Sequence, residues 1–149
     1  MSVRRLVAVL SLALAATGVL GGCGTGTSEV SVTAGAAASA APVNGSQLGV
    51  EEFAAALRRP NTTILDVRTP EEFAAGHLPG AVNIDVSAPD FADRIGALAP
   101  DAPYAVYCRS GNRSAAAVEQ MTAAGFTQAF DLGGGIIDWQ EAGGEVVTD

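Results

Sequence analysis

The sequence contains no lysine, a single histidine and two cysteines among 149 residues. Each scarcity excludes something. Without lysine, eight arginines must supply every side-chain cation, against sixteen acids. No basic face is available for nucleic acid, whose phosphates demand one, and no polybasic segment for anionic lipid. Without a histidine or cysteine cluster there is no ligand set for a metal. Gly133-Gly134-Gly135 has neither the lysine nor the Ser/Thr of a phosphate-binding P-loop, so it reads as a tight strand-to-helix turn. Two cysteines build no disulfide framework. Long apolar runs are also lacking, with one exception at the N-terminus.

That exception follows Met1–Arg5, which carries two positive charges. Leu6 to Leu20 is almost wholly apolar and uncharged. It is shorter than the ~20 residues a membrane-spanning helix needs, and charge followed by a short apolar run is the form of a secretory signal. The next residues, Leu20-Gly21-Gly22-Cys23, resemble the lipobox of bacterial lipoproteins. The resemblance implies a signal over residues 1–22 and diacylglycerol on Cys23; a plain cleaved signal with a chance cysteine is the alternative. Residues 23–45 are Gly, Ser, Thr, Ala and Val with little else, and read as a flexible linker. Residues 46–149 then form the folded domain, within the usual single-domain size. Removing the signal leaves six arginines against sixteen acids, a net charge of −10. The expected location is outside the cell membrane, held by the lipid alone.

The chemistry concentrates in Tyr104-Ala-Val-Tyr-Cys108-Arg109-Ser110-Gly111-Asn112-Arg113-Ser114. The first four residues suit a short buried strand, and an alanine-rich run from Ser114 to Gly125 suits a helix. A thiol between them sits at the strand's carboxyl end, facing loop amides and a helix N-terminus. Both point positive charge at it. A free thiol near ~8.5 is brought down to roughly 3.5–7.5 in such places. Arg109 and Arg113 are placed to add to the effect and to hold an oxyanion by forked hydrogen bonds. A buried, inert cysteine is the plain alternative, and two guanidinium groups beside it weigh against that. Four residues separate Cys108 from Arg113. Cysteine phosphatases use a loop one residue longer, so this one suits an anion smaller than phosphate.

The rest of the chain alternates. Val50, Phe53, Ala54 and Leu57 make an apolar stripe in a helix over 47–59, closed by Pro60. Residues 62–67 read as a strand. Thr69 is a candidate N-cap, with Pro70 at the first helical position and Glu71 and Glu72 in the first turn. That helix ends at Gly76, a turn follows over 77–80, and a second strand runs over 81–84. Phe91, Ile95 and Leu98 mark a helix within 87–98. Val118, Met121 and Thr122 are the expected inner face of the helix after Cys108. A strand over 128–132 and a helix over 136–141, with Trp139 in the core, complete the pattern. Alternation of this kind predicts an α/β fold: a mostly parallel central sheet with helices on both faces. Ligands bind at the carboxyl ends of the strands in such sheets, where Asp66 and Cys108 both lie.

Cys-Arg-Ser-Gly-Asn-Arg-Ser resembles the active-site loop of the rhodanese (thiosulfate sulfurtransferase) family. A second segment, Leu65-Asp-Val-Arg-Thr-Pro-Glu-Glu-Phe-Ala-Ala-Gly-His-Leu-Pro-Gly-Ala-Val-Asn-Ile84, resembles that family's upstream signature, and Gly-Gly-Gly-Ile-Ile-Asp-Trp its C-terminal end. Asp85 departs from the pattern, standing where proline is frequent. The resemblance covers about Val50 to Val147. It implies a sulfurtransferase in which Cys108 forms a persulfide, residues 109–114 bind the anion, and no cofactor is used. The implied partners are a small sulfur-containing anion as donor and a thiol or cyanide as acceptor, with the protein acting as a monomer. Asp66, carried over as near the loop, has backbone fixing or proton transfer as its roles. Arg68 is expected to pair with a carboxylate such as Glu72. His77 is expected to make a scaffold hydrogen bond, with a Cys–His pairing as the alternative. Two other readings stay open: a module that carries persulfide or binds a partner without turnover, and a phosphatase or arsenate reductase.

Overall fold

The computed structural model describes residues 40–148. The signal segment, Cys23 and the linker up to residue 39 lie outside the described residues. Ten elements follow in order: β1 Gln47–Leu48, α1 Val50–Leu57, β2 Thr63–Asp66, α2 Pro70–Ala74, β3 Val82–Asn83, α3 Phe91–Gly96, β4 Tyr104–Tyr107, α4 Asn112–Ala123, β5 Ala129–Leu132 and α5 Gly135–Glu141. The strands form one sheet in the order β1-β5-β4-β2-β3, and every strand pair in it is parallel.

Period-two alternation along the central strand β4 creates two cores. Tyr104, Val106 and Cys108 fall in a cluster with Phe91 and Ile95 of α3 and Ala117, Val118 and Met121 of α4. Ala105 and Tyr107 fall in the opposite cluster with Phe53 and Ala56 of α1 and Ile136 of α5. Burying a large apolar side chain stabilises by ~1.5–3 kcal/mol, so β4, buried along its whole length, anchors both layers. Cys108 is thereby fixed to the α3/α4 face.

Several local expectations shift. Gln47 and Leu48 pair with Asp131 and Leu132 as an edge strand, so the first helix begins only at Val50. Two residues are too few to show an alternating pattern, and the adjacent helical stripe masked them. Thr122 is exposed, and Ser114 joins Ala117, Val118 and Met121 on the inner face of α4. Asn44 Oδ1 accepts the Ala129 N–H at 2.8 Å, which ties the segment before β1 to β5. Trp139 packs edge-on against Phe53. At Thr69 the full capping box forms: Thr69 Oγ1 accepts the Glu72 N–H at 3.3 Å, and Glu72 Oε2 accepts the Thr69 N–H at 3.2 Å.

Candidate active site

The site begins where β4 ends. Cys108 follows the last strand residue and α4 starts at Asn112, so four residues, Cys108 to Gly111, make the whole turn. The turn is capped by Gly111, whose N–H donates to Cys108 Sγ at 3.2 Å. The Ser110 and Ser114 amides also act on the sulfur, and so does the Ser114 hydroxyl. Burial pushes the thiol up, since the cysteine is only 1% exposed. The Ser114 hydroxyl and the three amides outweigh burial, and the thiol lies below its ordinary value. Twelve residues of aligned peptide dipoles in α4 begin beside it. Of the six positions expected to line the anion, Gly111 hydrogen-bonds the sulfur, and Ser110 and Ser114 lower the thiol. Arg109 and Asn112 are exposed.

Arg113 is already engaged. Its Nη1 and Nη2 donate to Glu72 Oε2 at 2.7 Å and Oε1 at 2.8 Å, a bidentate fork from α4 to α2. In this structure the guanidinium expected to hold the donor makes its fork with Glu72. Its charge acts on Cys108, but its fork belongs to Glu72. The Arg113 fork first, then the Thr69 N–H, lower Glu72 from 4.5 to about 2 against the opposing effect of burial. A depressed carboxylate stabilises the fold above its unfolded value and loses that contribution as pH falls toward the folded value. Both side chains are about one-third exposed, so screening limits the pair to ~0–1 kcal/mol. Glu72→Gln is accordingly expected to change neutral-pH stability little and to flatten the stability change between pH 4.5 and about 2. Released from its partner, Arg113 should also shift Cys108 alkylation to lower pH, an effect that high salt suppresses.

Arg68 does not pair with Glu72 as the sequence suggested. It folds back on Asp66, whose Oδ1 accepts the Arg68 N–H and Nε–H, both at 2.9 Å, and whose Oδ2 accepts Nε at 3.0 Å and Nη2 at 2.5 Å. Nη2 also donates to the Gly76 carbonyl at 2.7 Å. Asp66 is completely buried and Arg68 is 5% exposed, and two residues apart at a strand end is the shortest route to a satisfied pair. The guanidinium lies 5.5 Å from the Tyr107 ring centroid. Tyr107 is the register partner of Asp66, and its hydroxyl accepts the Leu78 N–H at 3.1 Å. Burial, then Asp66, hold that hydroxyl far above its usual range. This network braces the residue before Cys108. His77, 4% exposed, stacks on Phe73 with centroids 3.8 Å apart, and its Nδ1 lies 3.0 Å from the Phe73 carbonyl. Its backbone bridges Val147 in both directions at 2.9 Å.

Two contributors went unnoticed in the sequence. Asp131, 2% exposed in β5, holds Ser114 Oγ at 3.1 Å and Gln47 Nε2 at 3.0 Å through its Oδ2. The visible signal was an acid inside an otherwise apolar buried strand. The glycine turn is the second. The Ile136 and Ile137 N–H groups donate to the Cys108 and Arg109 carbonyls at 2.9 and 3.3 Å, so α5 holds the outer side of the cysteine turn. A surface cavity of about 320 Å³ lined by residues such as Pro42, Leu48 and Glu52 includes no residue of this turn.

A thiol at the carboxyl end of a parallel strand, ringed by amides and facing a helix N-terminus, defines an α/β domain built to hold negative charge on one sulfur. The rhodanese-like domain family matches residues 49–142. The chain belongs to that family. It is 37% identical over 89 residues to the thiosulfate sulfurtransferase GlpE of Pseudomonas fluorescens, covering 60% of this chain and 80% of that one. It is 36% identical over 89 residues to the uncharacterized protein YqhL of Bacillus subtilis, covering 60% and 68%. Among solved structures, a rhodanese-related protein from Thermoplasma volcanium superposes with a TM-score of 0.62 at 35% identity, covering 70% of this chain and 99% of that one. A rhodanese-like domain protein from Staphylococcus aureus gives 0.60 at 29% identity, covering 70% and 98%.

Proposed function

We propose that this protein moves sulfane sulfur from a small anionic donor such as thiosulfate to a thiol or cyanide acceptor through a persulfide on Cys108. The Cys108 thiolate attacks the outer sulfur of the donor. A new S–S bond forms, the sulfur–sulfite bond breaks, and sulfite leaves with the electron pair. The outer sulfur of the persulfide then carries the negative charge and sits among the same amides. An acceptor thiolate or cyanide attacks it, and Cys108 departs as thiolate, ready for another cycle. The observation that carries this reading is the Gly111 N–H donated to Cys108 Sγ at 3.2 Å at the mouth of α4, with the Ser110 and Ser114 amides also favouring the thiolate, because donors fixed in advance stabilise developing charge without reorganisation. Arg113 contributes charge rather than a grip, and Arg109, exposed beside the turn, is the residue assigned to orient the donor. Asp66, Arg68 and His77 brace the scaffold.

Export with a diacylglycerol on Cys23 is part of the same proposal. It predicts that Cys23→Ser releases the protein from the membrane fraction without altering the sulfur chemistry. The function is tested by thiocyanate formation from thiosulfate and cyanide with the purified full chain. Turnover by the wild type is the expected result. Absence of turnover, with persulfide still formed, would favour a carrier over an enzyme, and hydrolysis of an aryl phosphate instead would favour a phosphatase.

A further inference from the structure

Ser114 has one hydroxyl proton and two acceptors within hydrogen-bond distance, the Gly111 carbonyl at 2.9 Å and Asp131 Oδ2 at 3.1 Å, and the same hydroxyl also favours the Cys108 thiolate. It serves one of them well at a time. Which one depends on Asp131, a buried carboxylate on β5. The groups acting on Asp131 are Gln47 from β1 and Ser114 from α4, both neutral, and burial raises it above the ordinary carboxylate range. An isolated buried carboxylate is costly to ionise. Around Cys108 the charged groups are Arg113 and, through it, Glu72 and Asp85.

We propose that Asp131 is a positioning residue for Cys108: it takes the thiol's proton by way of the Ser114 hydroxyl, and once neutral it aims that hydroxyl at the sulfur. The exchange balances. The Cys108 S–H bond breaks and its proton goes to Ser114 Oγ, while the Ser114 O–H proton goes to Asp131 Oδ2. The protonated carboxyl then donates to Ser114 Oγ, and Ser114 donates to the thiolate. One negative charge is shared between the ends of the relay, so Cys108 and Asp131 titrate as a pair. The inference rests on Cys108 being the nucleophile of the proposed reaction, but its readout is the titration of the thiol, which needs no sulfur donor.

The test follows iodoacetamide alkylation at the Cys108 peptide of the full chain as a function of pH. The wild type is expected to give two steps. Asp131→Asn, which keeps an N–H donor toward Ser114 and carries no charge, is expected to give one step at lower pH and alkylation roughly three- to tenfold faster at neutral pH. Ser114→Ala is expected to move the single step to higher pH, and adding Asp131→Asn to it should change nothing further. An equal shift from Asp131→Asn with and without Ser114 would mean simple charge repulsion and would overturn the relay, as would an unchanged profile. The wild type alone gives a second decision. A protonated-carboxyl infrared band must survive in part through the first ionisation step of Cys108 and vanish with the second, and its complete loss in the first step contradicts the proposal even if the asparagine variant does not fold.

Discussion

Cys108→Ser is expected to reduce sulfur transfer by roughly a thousandfold or more, down to background. A hydroxyl in the same place is not ionised at neutral pH and cannot form the persulfide, so the effect falls on the chemical step. The fold should persist, since the side chains differ little in size and the Ser110, Gly111 and Ser114 amides keep an acceptor. The stability curve carries a second signature. The folded-state thiol lies below its model-peptide value of 9.0, so the thiolate contributes stability that is fully present above that value and is lost as pH falls through the folded one. Wild type should therefore gain on Cys108→Ser as pH rises toward 9.0, measured by urea unfolding at a series of pH values. Parallel curves for the two proteins would mean that the amides do not favour the thiolate.

Gly135→Ala is expected to be the most damaging single change outside the nucleophile. Its φ is +64°, which costs a residue with a Cβ about 1–2 kcal/mol. The added carbon would also lie 2.5 Å from the carbonyl carbon and oxygen of Arg109 and from the carbonyl oxygen of Cys108. These are backbone atoms and cannot swing aside, so α5 and the cysteine turn must separate, with overpacking of ~1–3 kcal/mol. A total of about 3 kcal/mol lowers Tm by roughly 10 °C or more in a domain of this size. Sulfur transfer should fall further than stability alone explains, because the Ile136 N–H to Cys108 carbonyl bond breaks. Gly80→Ala is the control. It has φ +76° with nothing within 4 Å of the added carbon, so it carries the conformational cost alone. Equal losses for the two variants would refute the contact argument.

The sequence made the nucleophile legible because its signals are local. A buried strand, a cysteine, a glycine and a helix follow one another within one stretch, and the Thr69 cap is followed at once by Pro70 and two acids. The parallel sheet also followed from alternation. What escaped depends on contacts between distant residues. Glu72 meets Arg113 across 41 positions, and Ser114 meets Asp131 across 17; neither pairing has a periodic signature. Arg68 had three carboxylates within reach in sequence, Asp66, Glu71 and Glu72, and only the geometry of the strand end chose Asp66. The two-residue strand at Gln47 was invisible beside a stronger helical stripe, yet it supplies a donor to Asp131. Gly133 to Gly135 looked like a turn and nothing more, because the reason for the third glycine is the Cys108 backbone 27 residues earlier.

The most direct measurement is the intact mass of the full chain after incubation with thiosulfate, with the modified residue located by peptide mapping. One added sulfur atom on Cys108, removed by cyanide and absent in Cys108→Ser, is the predicted result. Unchanged mass, under conditions where iodoacetamide alkylates Cys108 at neutral pH, would contradict it: the anionic sulfur would be present and the site would still not accept a second one.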